Sequence, residues 1–144
     1  MQGGSFRGAP NNFKESKKMK IVNLTPHEVT VYAASDVKPS GQKGYVLARP
    51  NAEPVYRFPS RGVSRASACE TPLKDVMGIP VFSMTYGDPE GVPDWQEGVM
   101  LIVSALTAQA CRHSGRRTDD LLTTARVVRD EDGRIIGCCA FAML

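Results

Sequence analysis

A continuous apolar run at residues 99–103 passes through a single serine into the one segment whose composition favours a helix. Met100 to Val103 have the unbroken hydrophobicity of a strand that is buried on both faces. Ser104 is a natural N-cap for a helix over residues 105–113, and Gly115 is a natural residue to end it. The sequence therefore predicts a buried strand that runs directly into one main helix.

The rest of the chain predicts short strands. Residues 20–33 contain strand formers on both sides of Pro26, which has no N–H to donate to a sheet, so we expect two strands joined there. Asn23 and Thr25 can hydrogen-bond nearby backbone groups and hold the bend. Further strands are predicted at 45–48, 55–58 and 76–86, and a final hairpin at 124–143 turns through Asp130–Gly133. The predicted class is α+β: a twisted, mainly antiparallel sheet packed by one main helix at about 105–114.

The excess positive charge lies at the N-terminus. Residues 1–18 hold four basic residues and one glutamate, whereas residues 19–144 hold fourteen Lys/Arg and fourteen Asp/Glu. We expect residues 1–18 to be a disordered basic tail and residues 19–144 a single compact domain, with Met19 as an alternative start. A neutral domain argues against binding to duplex DNA or RNA, because such proteins need a basic face.

Hydropathy and cysteine usage indicate a compartment. The apolar runs are too short to span a bilayer, and the N-terminus lacks the apolar core of a secretory signal. We expect no membrane association and a cytoplasmic location, which is the host cytoplasm if a phage encodes the chain. The four cysteines fit reduced, buried and inert thiols. The apolar residues 140–144 predict a last strand that is buried or at an interface, and we expect a homo-oligomer.

Familiar enzyme motifs are missing from the sequence, including the glycine-rich phosphate loops and the turn around a nucleophilic serine. We therefore assign no catalytic residue, and we expect neither a metal nor a cofactor. His27, beside a rigid Thr-Pro turn and next to Glu28, is a candidate for a base. The alternative is a histidine whose ring packs at a strand end and bonds a backbone carbonyl group.

Cys111 and His113 are a weaker candidate pair. Two residues apart in a helix, they point about 200° away from each other and cannot act from one face. A cysteine nucleophile would need a distant partner such as His27. A zinc site that adds Cys138 or Cys139 has the wrong spacing for a closed structural site.

The start of the predicted helix is the preferred place for an anionic ligand. Ser104 lies there, beside free N–H groups and the positive end of the helix dipole. Three further guanidinium groups could hold a phosphate or carboxylate bidentately: those of Arg57, Arg116 and Arg117. The alternative is that Ser104 only caps its helix and that the arginines pair with surface acids such as Asp119 and Asp120.

Trp95 lies in a loop rich in proline and glycine, residues 87–98. An aromatic ring on a rigid loop can stack on a nucleotide base or fill a pocket of a partner protein, and we include Trp95 among the candidate ligand-binding residues. The alternative is a ring that anchors the loop to the protein's own core.

Residues 19–29, Met-Lys-Ile-Val-Asn-Leu-Thr-Pro-His-Glu-Val, resemble the opening of small proteins from bacteria and their phages that usually carry no assigned function. The resemblance continues in outline to about residue 139. It implies a common compact fold and a mobile-element setting, and it carries over no catalytic residue. The chain departs from the pattern in its basic extension and in the Arg- and Ser-rich stretch 57–67.

These observations favour a non-catalytic binding protein of phage or mobile-element origin. It would sequester an anionic, nucleotide-like ligand or block a host protein, as an anti-defence protein does. The first alternative is a small hydrolase or transferase that uses His27, assisted by Thr25, Asp119 or Asp120. The second is a structural or assembly component of a phage particle.

Overall fold

A computed structural model describes residues 19–41 and 44–144, so the predicted tail at 1–18 lies outside the described residues. These residues form one α-helix, α1, and ten strands, with a short 3-10 helix at Ala34–Asp36. The strands and the helix are, in chain order, β1 (Lys20–Asn23), β2 (Val29–Val31), β3 (Val37–Pro39), β4 (Tyr45–Leu47), β5 (Tyr56–Phe58), β6 (Ala68–Pro72), β7 (Phe82–Tyr86), β8 (Val99–Ile102), α1 (Ala105–His113), β9 (Leu121–Arg129) and β10 (Ile135–Ala142).

Six strands form a sheet in the order β1-β8-β9-β10-β2-β5, and β4, with β3 beside it, pairs with β9. The two ends of this order meet at a seam, where Asn23 at the end of β1 forms a parallel bridge with Ser60 just after β5. The Arg61 N–H donates to the Asn23 carbonyl oxygen there, at 2.8 Å. The sheet therefore closes on itself like a barrel.

The interior of the closed sheet receives apolar side chains from all six strands. Its buried members are Val29, Ile102, Leu122 and Cys138, and its partly buried members are Ile21, Val31, Phe58, Met100 and Phe141. Neighbouring residues on the same strands point outward, since side chains alternate along a strand. One closed sheet thus buries one apolar set inside and presents a second set outside.

The outward set lies under α1. Leu101, Val103 and Leu121 pack there against Ala108 and Cys111 of the helix. Because α1 connects β8 to β9, and these strands pair in parallel, the helix has the role of a crossover connection. The apolar run at 99–103 is continuous because β8 is covered on both faces, by the barrel interior and by the helix.

The ends of α1 are those expected from the sequence. Ser104 Oγ accepts a hydrogen bond from the Thr107 N–H at 3.1 Å, which is an N-cap interaction. At the other end Gly115 has φ of 89°, and the N–H groups of Gly115 and Arg116 donate to the carbonyl oxygens of Arg112 and Cys111. This is the Schellman arrangement that satisfies the last helical carbonyl groups.

The α+β class and the main helix are confirmed, but the form of the sheet is corrected. It is barrel-like rather than an open twisted sheet. It is also mixed rather than mainly antiparallel, because β1–β8, β8–β9, β2–β10 and β4–β9 are parallel pairs. Closure and strand direction depend on contacts such as Asn23–Ser60, which lie far apart in the chain and leave no trace in local periodicity.

Several predicted elements are confirmed. Two strands flank Pro26, strands cover residues 45–47 and 56–58, and the last hairpin turns through Gly133, whose φ is 81°. The strand predicted over 76–86 is shorter: the regular strand covers Phe82–Tyr86, and residues 76–79 form a turn before it. No helix among the described residues is long and apolar enough to cross a membrane.

The strands β6 and β7 form a separate two-stranded sheet, which with its turn we call the arm (residues 68–86). Its base is fixed to the main body: Arg65 and Glu90 exchange two backbone hydrogen bonds of 2.8 Å, and the Tyr86 ring stacks on His113 with centroids 4.5 Å apart. Farther out, the arm exposes large apolar side chains, including Met77 at 93%.

Candidate functional site

Asn23, the last residue of β1, is 1% exposed and has a structural role. Its Oδ1 accepts from the Thr25 N–H at 2.9 Å and from Thr25 Oγ1 at 2.6 Å. Its Nδ2 donates to the carbonyl oxygens of His27 at 2.7 Å and Phe58 at 2.8 Å. Since an amide offers two donors and two main acceptor positions, its capacity is used. Asn23 therefore fixes the bend between β1 and β2 and ties it to β5.

His27 lies exposed on that bend, and its carbonyl group serves the Asn23 amide. Among the described residues its ring has no hydrogen-bond partner. The ring borders a shallow cavity of about 370 Å³ in which Glu28 supplies the carboxylate, but Glu28 Oε1 lies 3.7 Å from Arg57 Nη1. No group of the described chain thus orients His27 as a catalytic base would require.

Ser104 and the two adjacent arginines, Arg116 and Arg117, do not meet at one site. Ser104 Oγ is engaged within its own helix, with the Thr107 N–H and with Thr107 Oγ1 at 2.9 Å. Arg116 and Arg117 follow the opposite end of α1, beyond Gly115. The predicted combination of a helix N-terminus with these two guanidinium groups is therefore not formed in this chain, because nine helical residues separate them.

Arg116 is engaged in a buried ion pair. Its Nη1 and Nη2 each lie 2.8 Å from an oxygen of Asp120, whose side chain is 2% exposed. Nη2 also donates to the Pro93 carbonyl oxygen at 2.7 Å. The hydrogen bonds to Asp120 raise the pKa of Arg116 above its ordinary value. Arg116 therefore joins the loop before β8 to the start of β9 and is not available to a ligand.

The fold brings Arg117 into contact with Trp95, and this contact holds the loop at residues 87–98. The Arg117 guanidinium carbon lies 3.9 Å from the centre of the Trp95 ring, within the range of a cation–π contact. The same guanidinium donates to both oxygens of Asp119, at 3.1 and 2.6 Å, and these hydrogen bonds lower the pKa of Asp119. One face of the Trp95 ring is therefore covered by the protein itself.

Arg57 lies on β5, with its side chain 57% exposed. The rings of Tyr56 and Phe58 on either side of it stack with centroids 5.6 Å apart. Since alternate residues of a strand point to opposite faces, Arg57 extends from the other face of β5. Arg57 is accessible, but among the described residues it shares no hydrogen bond, ion pair or cavity lining with Ser104, Arg116 or Arg117.

The buried thiols belong to two different apolar clusters. Cys111 packs under α1 at 0% exposure, and Cys138 lies inside the barrel at 2%. Burial raises the pKa of both thiols above the ordinary value. Among residues 19–41 and 44–144, no three His, Cys, Asp or Glu side chains come together as a metal ion would require.

A cavity of about 530 Å³ opens at the seam of the barrel, and we call it the seam cavity. It is lined by Lys20, Ile21, Val22, Asn23, Phe58, Pro59 and Arg61. Its lining contains two cationic side chains and no carboxylate. Sequence reasoning missed this site: Arg61 lies in the Arg- and Ser-rich stretch, but only barrel closure places it on the same cavity as Lys20, 41 positions away in the chain.

Another cavity, of about 580 Å³, lies beside the turn of the last hairpin. Its charges are balanced: three basic side chains, Lys38, Arg129 and Arg134, face three acidic ones. Arg134 is already bonded to Asp130 at 3.1 Å. A cavity without an excess of either sign offers less to a charged ligand than the seam cavity does.

The chain matches no protein-family model, no curated protein and no solved structure in comparisons of its sequence and fold. The assignment of a function therefore depends on the geometry described above.

Proposed function

We propose that this chain is a non-catalytic binding protein that holds a small anionic, nucleotide-like ligand in the seam cavity. The observation that carries the proposal is the lining of that cavity, in which Lys20 and Arg61 have no carboxylate beside them. Both side chains are exposed, and neither has an ion-pair partner among the described residues. Two such cations attract a phosphate or carboxylate group, and the arginine can bind it bidentately.

The size and the walls of the seam cavity support a ligand larger than a simple ion. Its volume of about 530 Å³ lies within the range of small-molecule sites. Phe58 also lines the cavity, with its ring stacked on Tyr56 at a centroid distance of 5.6 Å, and Asn23 contributes a floor whose position is fixed by four hydrogen bonds. A rigid floor reduces the entropy lost on binding.

A binding role fits the chain better than a catalytic one. His27 lacks an orienting partner in the described residues, and Cys111 and Cys138 are buried thiols with raised pKa values. In the mobile-element setting that the sequence resemblance implies, the protein would act in the cytoplasm of a host cell and remove an anionic nucleotide signal from solution. Ligand capture of this kind needs affinity and abundance but no chemical step.

The proposal is tested by thermal unfolding of the full-length protein with a set of mono-, di- and cyclic nucleotides and with inorganic phosphate. Binding to the folded state raises the unfolding temperature by mass action. We expect a rise with at least one nucleotide, and we expect added salt to reduce it because the cations are exposed. In Arg61→Ala and Lys20→Gln the rise should be lost.

Arg65→Ala is the matched control, because Arg65 is also exposed, lies four residues from Arg61 and does not line the seam cavity. It should keep the response of the native protein. A response that survives both cavity substitutions would place the ligand elsewhere and contradict the proposal. The same conclusion follows if no nucleotide shifts the native protein, and blocking of a host protein would then be the remaining version of the binding role.

A further inference from the structure

The two faces of the arm differ sharply in chemistry. In the register of β6 with β7, Ala68 faces Tyr86, Glu70 faces Met84 and Pro72 faces Phe82, and all six lie on one face. The residues between them, Cys69, Thr71, Ser83 and Thr85, lie on the other face. One face is therefore largely apolar and the other polar, as in a sheet that packs on something with one side only.

The apolar face has support only at its inner end. There Tyr86 stacks on His113 of α1, and both Tyr86 and Ala68 are half-buried. Farther out, Phe82 is 47% exposed and Met84 is 44% exposed. The same apolar surface thus begins on the helix and continues beyond it without cover from the described chain.

The tip of the arm adds to this surface. Val76 and Ile79, which are 57% and 62% exposed, pair across a two-residue turn formed by Met77 and Gly78. Met77 has φ of 55° and Gly78 has φ of 77°, the left-handed pattern of a type I′ turn. Such turns favour Asn, Asp or Gly at both positions, so a methionine there is unusual. Its side chain is 93% exposed, at the most prominent point of the arm.

We propose that the apolar face and tip of the arm form a self-association surface, on which the arm of a second copy of this chain packs face to face. The two sheets would bury Phe82 and Met84 between them and shield Met77 and its neighbours from water. This inference is independent of the seam cavity, since no residue of the arm lines that cavity.

The available area supports a second copy as the occupant. From their exposed fractions, the five side chains Val76, Met77, Ile79, Phe82 and Met84 expose roughly 600 Å² together, so two copies could remove at most about 1,200 Å² from water, which is the lower end of the range for stable interfaces. A contact made by the same patch on both chains is the isologous arrangement of a two-fold dimer.

The formal charge of the arm also permits the arms of two copies to pack together. Within residues 68–86 one base, Lys74, stands against two acids, Glu70 and Asp75, so the arm has a formal net charge of −1. Two identical arms therefore meet with little repulsion. A partner selected by charge would require an excess of one sign on the arm, and the arm has almost none.

The test is sedimentation velocity of the purified full-length protein over a hundredfold range of concentration. We expect a species of two or more chains that dissociates on dilution toward the 15.7 kDa monomer. Met84→Glu places a second carboxylate beside Glu70, its cross-strand partner, on the otherwise apolar face and should weaken self-association more than tenfold. Ser83→Glu places the same charge one residue away on the polar face and should leave self-association unchanged.

Both substitutions lie at exposed positions of the arm, and unchanged circular dichroism and unfolding temperature would show that each variant folds. A second test replaces residues 73–81 with Asn-Gly, which removes the tip but keeps the β6–β7 pairs; it should also abolish association. Native protein that stays monomeric at every concentration overturns the proposal. So does association that Met84→Glu and Ser83→Glu weaken equally. Met84→Glu should still be stabilised by a nucleotide, because no arm residue lines the seam cavity. This measurement tests the ligand site separately from self-association.

Discussion

At the scale of single residues, Asn23 shows how one buried polar side chain can determine where a sheet closes. Its amide oxygen accepts a hydrogen bond from the Thr25 N–H in the adjoining turn, and its amide nitrogen donates one to the Phe58 carbonyl oxygen of β5. An aspartate has the same shape, but it would present oxygen atoms to two carbonyl oxygens and would bury a charge. The Asn-Leu-Thr-Pro-His segment is therefore explained by folding, with the His27 ring left at the surface.

Replacement of Asn23 by alanine should destabilise the protein by about 2–4 kcal/mol, because two partly buried carbonyl oxygens lose their donor. Asn23→Asp should be at least as damaging. Asn51→Ala is the control, since Asn51 is exposed. The free energy of unfolding is measured by urea denaturation. Equal effects of the substitutions at positions 23 and 51 would show that the amide does not hold the seam.

The cysteines should differ in reactivity according to burial. Cys69 on the arm is exposed, whereas burial raises the pKa of Cys111 and Cys138 and keeps reagents away from them. Brief treatment with iodoacetamide at neutral pH should label Cys69 first and leave those two unmodified, as read by peptide mass spectrometry. In guanidinium chloride all three should react. Rapid labelling of Cys111 in the native protein would contradict the packing under α1.

At the scale of elements, the connections are held by side chains at their ends. The loop before β8, the end of α1 and the start of β9 meet at Arg116, which bonds both Asp120 and the Pro93 carbonyl oxygen. Arg117 holds the same loop from outside through Trp95. The two adjacent arginines therefore have different environments, one nearly enclosed and one 56% exposed.

Arg116→Ala should lower the free energy of unfolding by about 3 kcal/mol or more, because it leaves the buried Asp120 carboxylate without its partner. Arg117→Ala should cause only a small change, since exposed ion pairs contribute little. Arg116→Lys should fall between them, because an ammonium group cannot bond both carboxylate oxygens and the Pro93 carbonyl in the same way. Urea denaturation measures all three, and a larger loss in Arg117→Ala would reverse the assignment.

At the scale of the whole molecule, the barrel-like sheet organises two apolar clusters, one inside it and one under α1. Surface carboxylates then stabilise the connections between strands. In the last hairpin, the Arg134 and Asp132 N–H groups both donate to Asp130 Oδ1 at 2.9 Å, and the bond from Arg134 is the main cause that lowers the pKa of Asp130. Asp119 is affected in the same direction by Arg117.

The lowered pKa values of Asp119 and Asp130 predict how the stability of the protein depends on pH. A folded-state pKa below the ordinary value of 3.8 means that the carboxylate contributes stability at neutral pH, which is lost as pH falls below about 4 and through the folded pKa. Asp130→Asn keeps an acceptor for the two N–H groups but cannot titrate. Its unfolding temperature should therefore fall less steeply below about pH 4 than that of the native protein. Asp75→Asn, on the arm, is the control; an equal change in both variants would contradict the role of Asp130.

Local sequence determined those features that depend on neighbours along the chain. The helix and its Ser104 cap, the bend at Pro26, the double burial of β8 and the turn at Gly133 all follow from residue type and spacing within about ten positions. Local pattern could also identify Arg57, Arg116, Arg117 and Trp95 as candidate ligand groups. It could not say which of them the fold would use for its own ion pairs and stacking contacts.

Only the tertiary structure decided which distant residues meet. Closure of the barrel through Asn23 and Ser60 places Lys20 and Arg61 on one cavity, the seam cavity, whereas the helix separates Ser104 from Arg116. The physical reason is that hydrophobic burial is non-directional: apolar alternation shows that a strand must be covered, but not which strand covers it. Strand order, parallel pairing and the place of the charged cavity follow from that choice of partners.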